Sequence, residues 1–124
     1  MVSEIIKIAK RTDNTINYDN IIFKVSSANV LDLDGAGLLW IYFKTLINGG
    51  ALKILVDMKG LDFIDSSGIG LLVNTAKLLR TNKGDIALIN VPVSIENIFK
   101  PVNLQRFIKM FNNDEEAIKF FRLM

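Results

Sequence analysis

The sequence predicts a small α/β or α+β fold, a sheet packed by helices, and three observations point there. Two strand-like runs lead the chain, helix-like and strand-like periods then alternate to its end, and half of the 124 residues are hydrophobic. That length and composition supply one core and exclude a disordered chain. Residues 1–124 are therefore expected to form a single domain, with no internal repeat, linker or low-complexity tract.

Ser3 to Ala9 and Ile21 to Val25 read as strands, and the turn formers Asn14, Asn17, Asp19 and Asn20 suit a leading hairpin. Asp34 to Asn48 has helical spacing and stops at Gly49-Gly50, after which Ala51 to Met58 predicts a buried strand. Ser66 to Asn82 predicts a second helix ended by Gly84, and Asp85 to Asn90 the next strand. Ser94 is placed to cap a short helix that Pro101 stops, because proline disfavours helical geometry in the residue before it. Phe107 to Phe111 predicts a last short strand, and Asp114 opens a terminal helix through Leu123. In the helix from Ser66, Ile69, Leu72, Val73, Ala76 and Leu79 recur at three- and four-residue steps and are expected to face the sheet, with Asn74, Lys77 and Arg80 turned away.

Composition removes several function classes. The formal net charge is +2, spread without a run of like charges, so neither a nucleic-acid arm nor a membrane-binding stripe is expected. There is no cysteine, which excludes thiol chemistry and suits a reducing cytoplasm. There is no histidine, so the usual general base, the commonest metal ligand and the Ser-His-Asp and Cys-His nucleophile systems are all absent. Asp32, Asp34, Asp57, Asp62 and Asp65 could furnish a carboxylate-only metal site, but loop and helix-cap roles account for all five, and no metal or cofactor is expected. No apolar run approaches the roughly 18 to 20 residues that span a bilayer, and Met1-Val2-Ser3-Glu4-Ile5 does not read as an export signal. A cytoplasmic protein is the expectation, and a hydrolase is a poor reading.

The most informative stretch is Asp65-Ser66-Ser67-Gly68-Ile69-Gly70, set between the strand-like Ile54-Leu55-Val56-Asp57 and the helix-like Leu71-Leu72-Val73. It puts a hydroxyl at a helix N-terminus. Ser66 or Ser67 there is either a structural cap, accepting from the first-turn amides, or a phosphorylation switch whose added charge those amides would favour. Gly68 and Gly70 leave the first turn bare, either for a close approach by a ligand or for tight packing of helix on strand. The serine is not in the Gly-x-Ser-x-Gly turn of hydrolases, and the glycines lack the spacing of a phosphate-binding loop, although the amides from Ser66 to Gly70 could form an anion nest.

The run from Ile54 to Leu72, with its Asp-Ser-Ser-Gly-Ile-Gly core, resembles the signature of STAS domains, specifically the bacterial anti-sigma factor antagonists. The resemblance continues through Gly84 to Val91, the short helix at Ile95 to Lys100, Asn103-Leu104, and Phe107 to Ala117, and so covers roughly residues 15 to 120. It implies a four- to five-stranded mixed sheet with about four helices packed largely on one side. It also implies a protein-protein switch without catalysis of its own: the dephosphorylated protein binds an anti-sigma factor that is also a serine kinase and so releases a sigma factor, and a phosphatase resets the phosphorylated form. The first serine of the motif is the one modified, which carries over to Ser66. Asp32, Asp65, Ser66, Ser67, Gly68, Ile69 and Gly70 are then the expected partner-binding residues. The same fold also serves as a constitutive adaptor in transport or signalling assemblies, the alternative reading.

Three departures from the family pattern bear on that reading. The corner before the first helix usually carries Gly-x-Leu-Asp, whereas here Ser26 to Asp34 has no glycine; Asp32 is the matching aspartate, with Asp34 an alternative helix cap. A glycine usual after the short helix is replaced by Asn103, and asparagine tolerates left-handed backbone. Finally, Leu38-Leu39-Trp40-Ile41-Tyr42-Phe43 is apolar without a break. Helical spacing puts Leu38, Leu39, Tyr42 and Leu46 on one face and leaves Trp40 and Ile41 outside it, either covered by another layer or forming a second interface, for example in a homodimer.

Overall fold

The computed structural model describes residues 2–7 and 18–124. In chain order these residues form strands β1 (Val2–Lys7), β2 (Ile21–Ser26) and β3 (Val30–Leu31), helix α1 (Leu33–Asn48), strands β4 (Lys53–Asp57) and β5 (Phe63–Ile64), helix α2 (Ser66–Thr81), strand β6 (Asp85–Ile89), helices α3 (Val93–Phe99) and α4 (Leu104–Phe107), strand β7 (Lys109–Phe111) and helix α5 (Asp114–Arg122). Five strands make one mixed sheet in the order β1-β2-β4-β6-β7. Only the β1–β2 pair is antiparallel, with Ile5 opposite Phe23 and Ile6 opposite Ile22; β2, β4, β6 and β7 run parallel. The expected hairpin pairing is present, while Ile8, Ala9, Asn14 and Asn17 lie outside the described residues. A second, two-residue ladder pairs β3 with β5 in parallel.

The strand period of two explains the layers. Val25, Ile54, Val56, Ile86 and Leu88 point to the side where α1 to α4 supply Leu39, Phe43, Leu72, Leu79, Phe99 and Leu104. Ile22, Leu55, Ala87 and Ile89 point to the other side, where α5 covers them with Ala117 and Phe121. Central strands buried on both faces are why β4 and β6 read as unbroken apolar runs. The fold class is as expected, with five helices rather than four, one of them on the far face. Sequence periodicity could not assign α5 to a face, because its single apolar stripe fits either side of the sheet.

Several local expectations need correction. Asp114 opens α5 as expected, and the helix ends at Arg122 rather than Leu123; Asn113 caps it by accepting from the Glu116 amide at 3.0 Å, and Glu116 accepts from the Asn112 amide at 3.0 Å. Ser94 caps nothing; Pro92 occupies that place and makes no side-chain cap bond. The last strand is three residues long because Leu104–Phe107 coils into α4. On α1 the buried side chains are Ala36, Leu39, Phe43 and Ile47. Trp40 is half-buried against the core, its ring 5.6 Å from the Lys44 ammonium, whereas Leu38, placed inside by the sequence, is exposed. On α2, Leu71 and Thr75 are buried with Leu72, Ala76 and Leu79, and Ile69 and Val73 are only half-buried. Thr75 is accommodated because its hydroxyl donates to the Leu71 carbonyl at 2.8 Å. Arg80 is not turned away: it bonds Asp85 at 3.0 Å, donates to the Phe107 carbonyl at 2.6 Å, and lies 4.4 Å from the centre of the Phe107 ring. Asn103 takes the left-handed conformation expected of it, φ 54°.

Candidate partner-binding site

The short β3–β5 ladder sets two helix starts side by side. Leu31 pairs with Ile64, both buried, and the next residue of each segment is an aspartate at a helix N-cap. Asp32 accepts from the Gly35 amide at 2.9 Å; Asp65 accepts from the Ser67 and Gly68 amides at 2.9 and 3.4 Å. Each carboxylate satisfies first-turn donors that the helix itself cannot, and its charge lies at the favourable end of the helix dipole. Asp34, the alternative cap of α1, is an exposed first-turn residue instead.

This geometry removes the structural-cap reading of the serines. Neither serine caps α2, because Asp65 does. Ser66 is the first helical residue and is exposed; Ser67 is half-buried. The anion-nest reading loses two of its amides to the Asp65 carboxylate. The two glycines also part company. A methyl group on Gly68 would lie 2.5 Å from Ile64 Cγ1 and 2.6 Å from the Leu31 carbonyl oxygen, so Gly68 serves tight packing of α2 on the ladder, whereas at Gly70 nothing lies within 4 Å. That close approach also fixes which side of α2 faces inward, and with it the burial of Leu71 and Thr75.

Around Ser66 the surface combines acids with apolar side chains. Val30 and Phe63 are partners in the ladder and stay exposed, and Leu33, the first residue of α1, is 74% exposed. These three were not among the residues expected from the sequence, since strands of two residues carry no period to read. Of the remaining aspartates, Asp57 accepts from the Lys59 amide at 3.0 Å and from Asn90 at 3.2 Å, and Asp62 is an exposed loop residue. Among the described residues no cluster of three or more acidic, histidine or cysteine side chains is arranged to hold a metal. Ile69 packs half-buried against the core next to the site. Trp40 and Ile41 sit further along α1; Trp40 belongs to the core margin, and only Ile41, 61% exposed, remains of the expected second patch, with Leu38 beside it. No helix among the described residues is long and apolar enough to cross a membrane.

The STAS domain family model matches residues 43–117, more than half of the chain. A Thermotoga maritima protein provisionally named an anti-sigma factor antagonist is 29% identical over 94 residues, which are 74% of this chain and 82% of that one. A crystal structure of a protein with that provisional name, from the same organism, has a TM-score of 0.73 at 27% identity, over 87% of this chain and 92% of the other. The anti-sigma factor antagonist SpoIIAA in its unphosphorylated form shares the fold, with a TM-score of 0.67 at 23% identity over 84% of this chain and 89% of that chain.

Proposed function

The chain belongs to the STAS domain family, and from that premise we propose that it is an anti-sigma factor antagonist switched at Ser66. In this reading the unmodified protein binds an anti-sigma factor that is also a serine kinase, and so frees a sigma factor. Phosphorylation of Ser66 turns the binding off, and a phosphatase restores it. The observation that carries the reading is the division of labour at the start of α2: Asp65 caps the helix, so the exposed Ser66 hydroxyl is not needed for the fold and is open to modification. A phosphate there brings roughly −1.5 to −2 of charge beside Asp65 and into a surface that also carries Asp32. Repulsion and desolvation at the interface then suffice to block the partner, with no need for refolding. The contact surface in this proposal is Asp32, Asp65, Ser66, Ser67, Ile69 and Gly70, bordered by Val30, Leu33 and Phe63; Gly68 acts from beneath by packing.

Peptide mass spectrometry on protein from its own cells, with a pull-down comparing the native chain, Ser66→Ala and Ser66→Asp, tests this. Phosphate on Ser66, and an ATP-binding partner kept by Ser66→Ala but lost by Ser66→Asp, is the expected result. An unmodified Ser66 under every growth condition, with one partner held equally by all three forms, would instead favour the constitutive adaptor.

A further inference from the structure

Helix α1 turns Ala36, Leu39, Phe43 and Ile47 into the core. On its opposite side Asp34, Gly37, Ile41, Lys44 and Asn48 are all exposed, and they recur at alternating steps of three and four residues, which lines them along one seam. Ile41 sits at its centre, and the exposed Leu38 flanks it. Two features of the seam have no explanation within the chain. Gly37 lies inside a 16-residue helix, where glycine is weaker than alanine, yet a methyl group there would meet nothing within 4 Å. Asp34 and Lys44 make no ion pair among the described residues; the Lys44 ammonium rests 5.6 Å from the centre of the Trp40 ring and the residue stays exposed. We propose that this seam is a self-complementary interface, occupied by α1 of a second copy of the chain that runs antiparallel to it about a two-fold axis at the level of Leu39.

In that register Ile41 of each copy enters the gap at Gly37 of the other, and Asp34 of each meets Lys44 of the other. Both pairs are centred on position 39, so one two-fold operation makes them together, as a self-complementary contact requires. Charge selects this arrangement. A parallel pair sets Asp34 against Asp34 and Lys44 against Lys44, and an antiparallel pair displaced by one heptad sets Ile41 against Lys44 and leaves Gly37 facing Asn48. A lipid surface fits less well, because a seam with one acid and one base offers no net charge to anionic headgroups. A face about 24 Å long and 10 to 12 Å wide is well below the roughly 800 Å² per partner of a stable interface, so the dimer forms at high concentration, with a Kd on the order of 100 μM. The pairing does not rest on the proposed switch at Ser66.

Sedimentation equilibrium of the full chain, from about 10 μM to 1 mM around that Kd, tests the pairing. The native chain is compared with Asp34→Lys, Lys44→Asp, the double swap of both, and Gly37→Gln. All three positions are exposed, and a thermal melt of each variant follows the fold separately from association. The native chain should show a monomer–dimer equilibrium. Each single swap sets like charges together at two places in the dimer and should weaken it at least about tenfold, while the double swap, which restores both pairs, should return to within about threefold of the native chain. Gly37→Gln should raise the melting temperature, since glutamine is the better helix former, and still weaken the dimer by closing the gap that Ile41 enters. A glycine kept only for the helix's own sake would not separate those two readings. A chain that is monomeric at about 1 mM, single swaps that associate as the native chain does, a double swap as weak as the singles, or a dimer indifferent to Gly37→Gln would each overturn the pairing. A monomeric chain whose Ile41→Glu variant loses a different protein in the pull-down would give the face to that protein instead.

Discussion

At the start of α1, Val30 and Leu31 lead into Asp32, whose carboxylate caps at Gly35; at the start of α2, Phe63 and Ile64 lead into Asp65, whose carboxylate caps at Ser67 and Gly68. The two segments run in parallel register, with the outer strand residue exposed and the inner one buried in both. Three residues beyond each aspartate is a glycine pressed on the ladder: a methyl on Gly35 would lie 2.4 Å from the Val30 carbonyl oxygen, and one on Gly68 would lie 2.6 Å from that of Leu31. The starts diverge at the first helical residue, where α1 has Leu33 and α2 has Ser66. Whatever the fold needs at a helix start is common to both. The serine is therefore the part that the fold does not explain, and the aspartate and glycine are the parts that it does.

The comparison breaks most visibly at the glycines. Gly35→Ala and Gly68→Ala force a methyl against backbone that has no rotamer by which to yield, and each should lose about 2 to 3 kcal/mol in urea unfolding. Gly70→Ala, in open space on the same helix, should gain about 0.5 to 1 kcal/mol. If Gly68→Ala were tolerated while Gly35→Ala was not, the equivalence of the two starts would fail. The caps come next in size. Asp32→Ala and Asp65→Ala should each cost about 1 kcal/mol, and the Asn variants less, because asparagine supplies the same accepting oxygen. Equal losses at the two positions would mark both carboxylates as structural, so that any extra loss of partner binding by Asp65→Asn reports on contact alone.

The legible parts of this chain were those long enough to show a period or punctuated by special backbone. α1, α2, β4 and β6 were readable from apolar spacing and their Gly-Gly and Gly stops, and Asn103 from its tolerance of positive φ. Ser66 stands out as a candidate because an aspartate, two serines and two glycines come after a buried strand. The features that periodicity missed depend on tertiary contact. The β3–β5 ladder is two rungs long, so nothing in the sequence announced it, yet it presses on Gly68, turns α2 so that Thr75 goes inward, and makes Asp65 rather than a serine the cap. The inward face of α1 was misplaced for a similar reason: with six apolar residues in a row, spacing offers several faces, and packing selects Ala36, Leu39, Phe43 and Ile47.

The smallest effects on stability carry the sharpest test of the comparison. Ser66→Ala and Leu33→Ser change exposed first-turn residues whose neighbours already provide the caps, so each should move the unfolding free energy by no more than about 0.5 kcal/mol. Leu33→Ser also gives α1 an exposed serine directly after a capping aspartate, on the same sheltered backbone plan. Phosphorylation by the kinase recovered in the pull-down should still add a single phosphate, at Ser66, because α2 follows its serine with the uncharged Ser67 and turns Leu71 inward, whereas α1 follows position 33 with the exposed charge of Asp34 and, one turn on, exposes Leu38. Two phosphates by intact mass would mean that an aspartate-capped helix start is itself the recognition element. One phosphate would place recognition in the residues beyond the serine, and would explain why two starts so alike in backbone need carry only one switch.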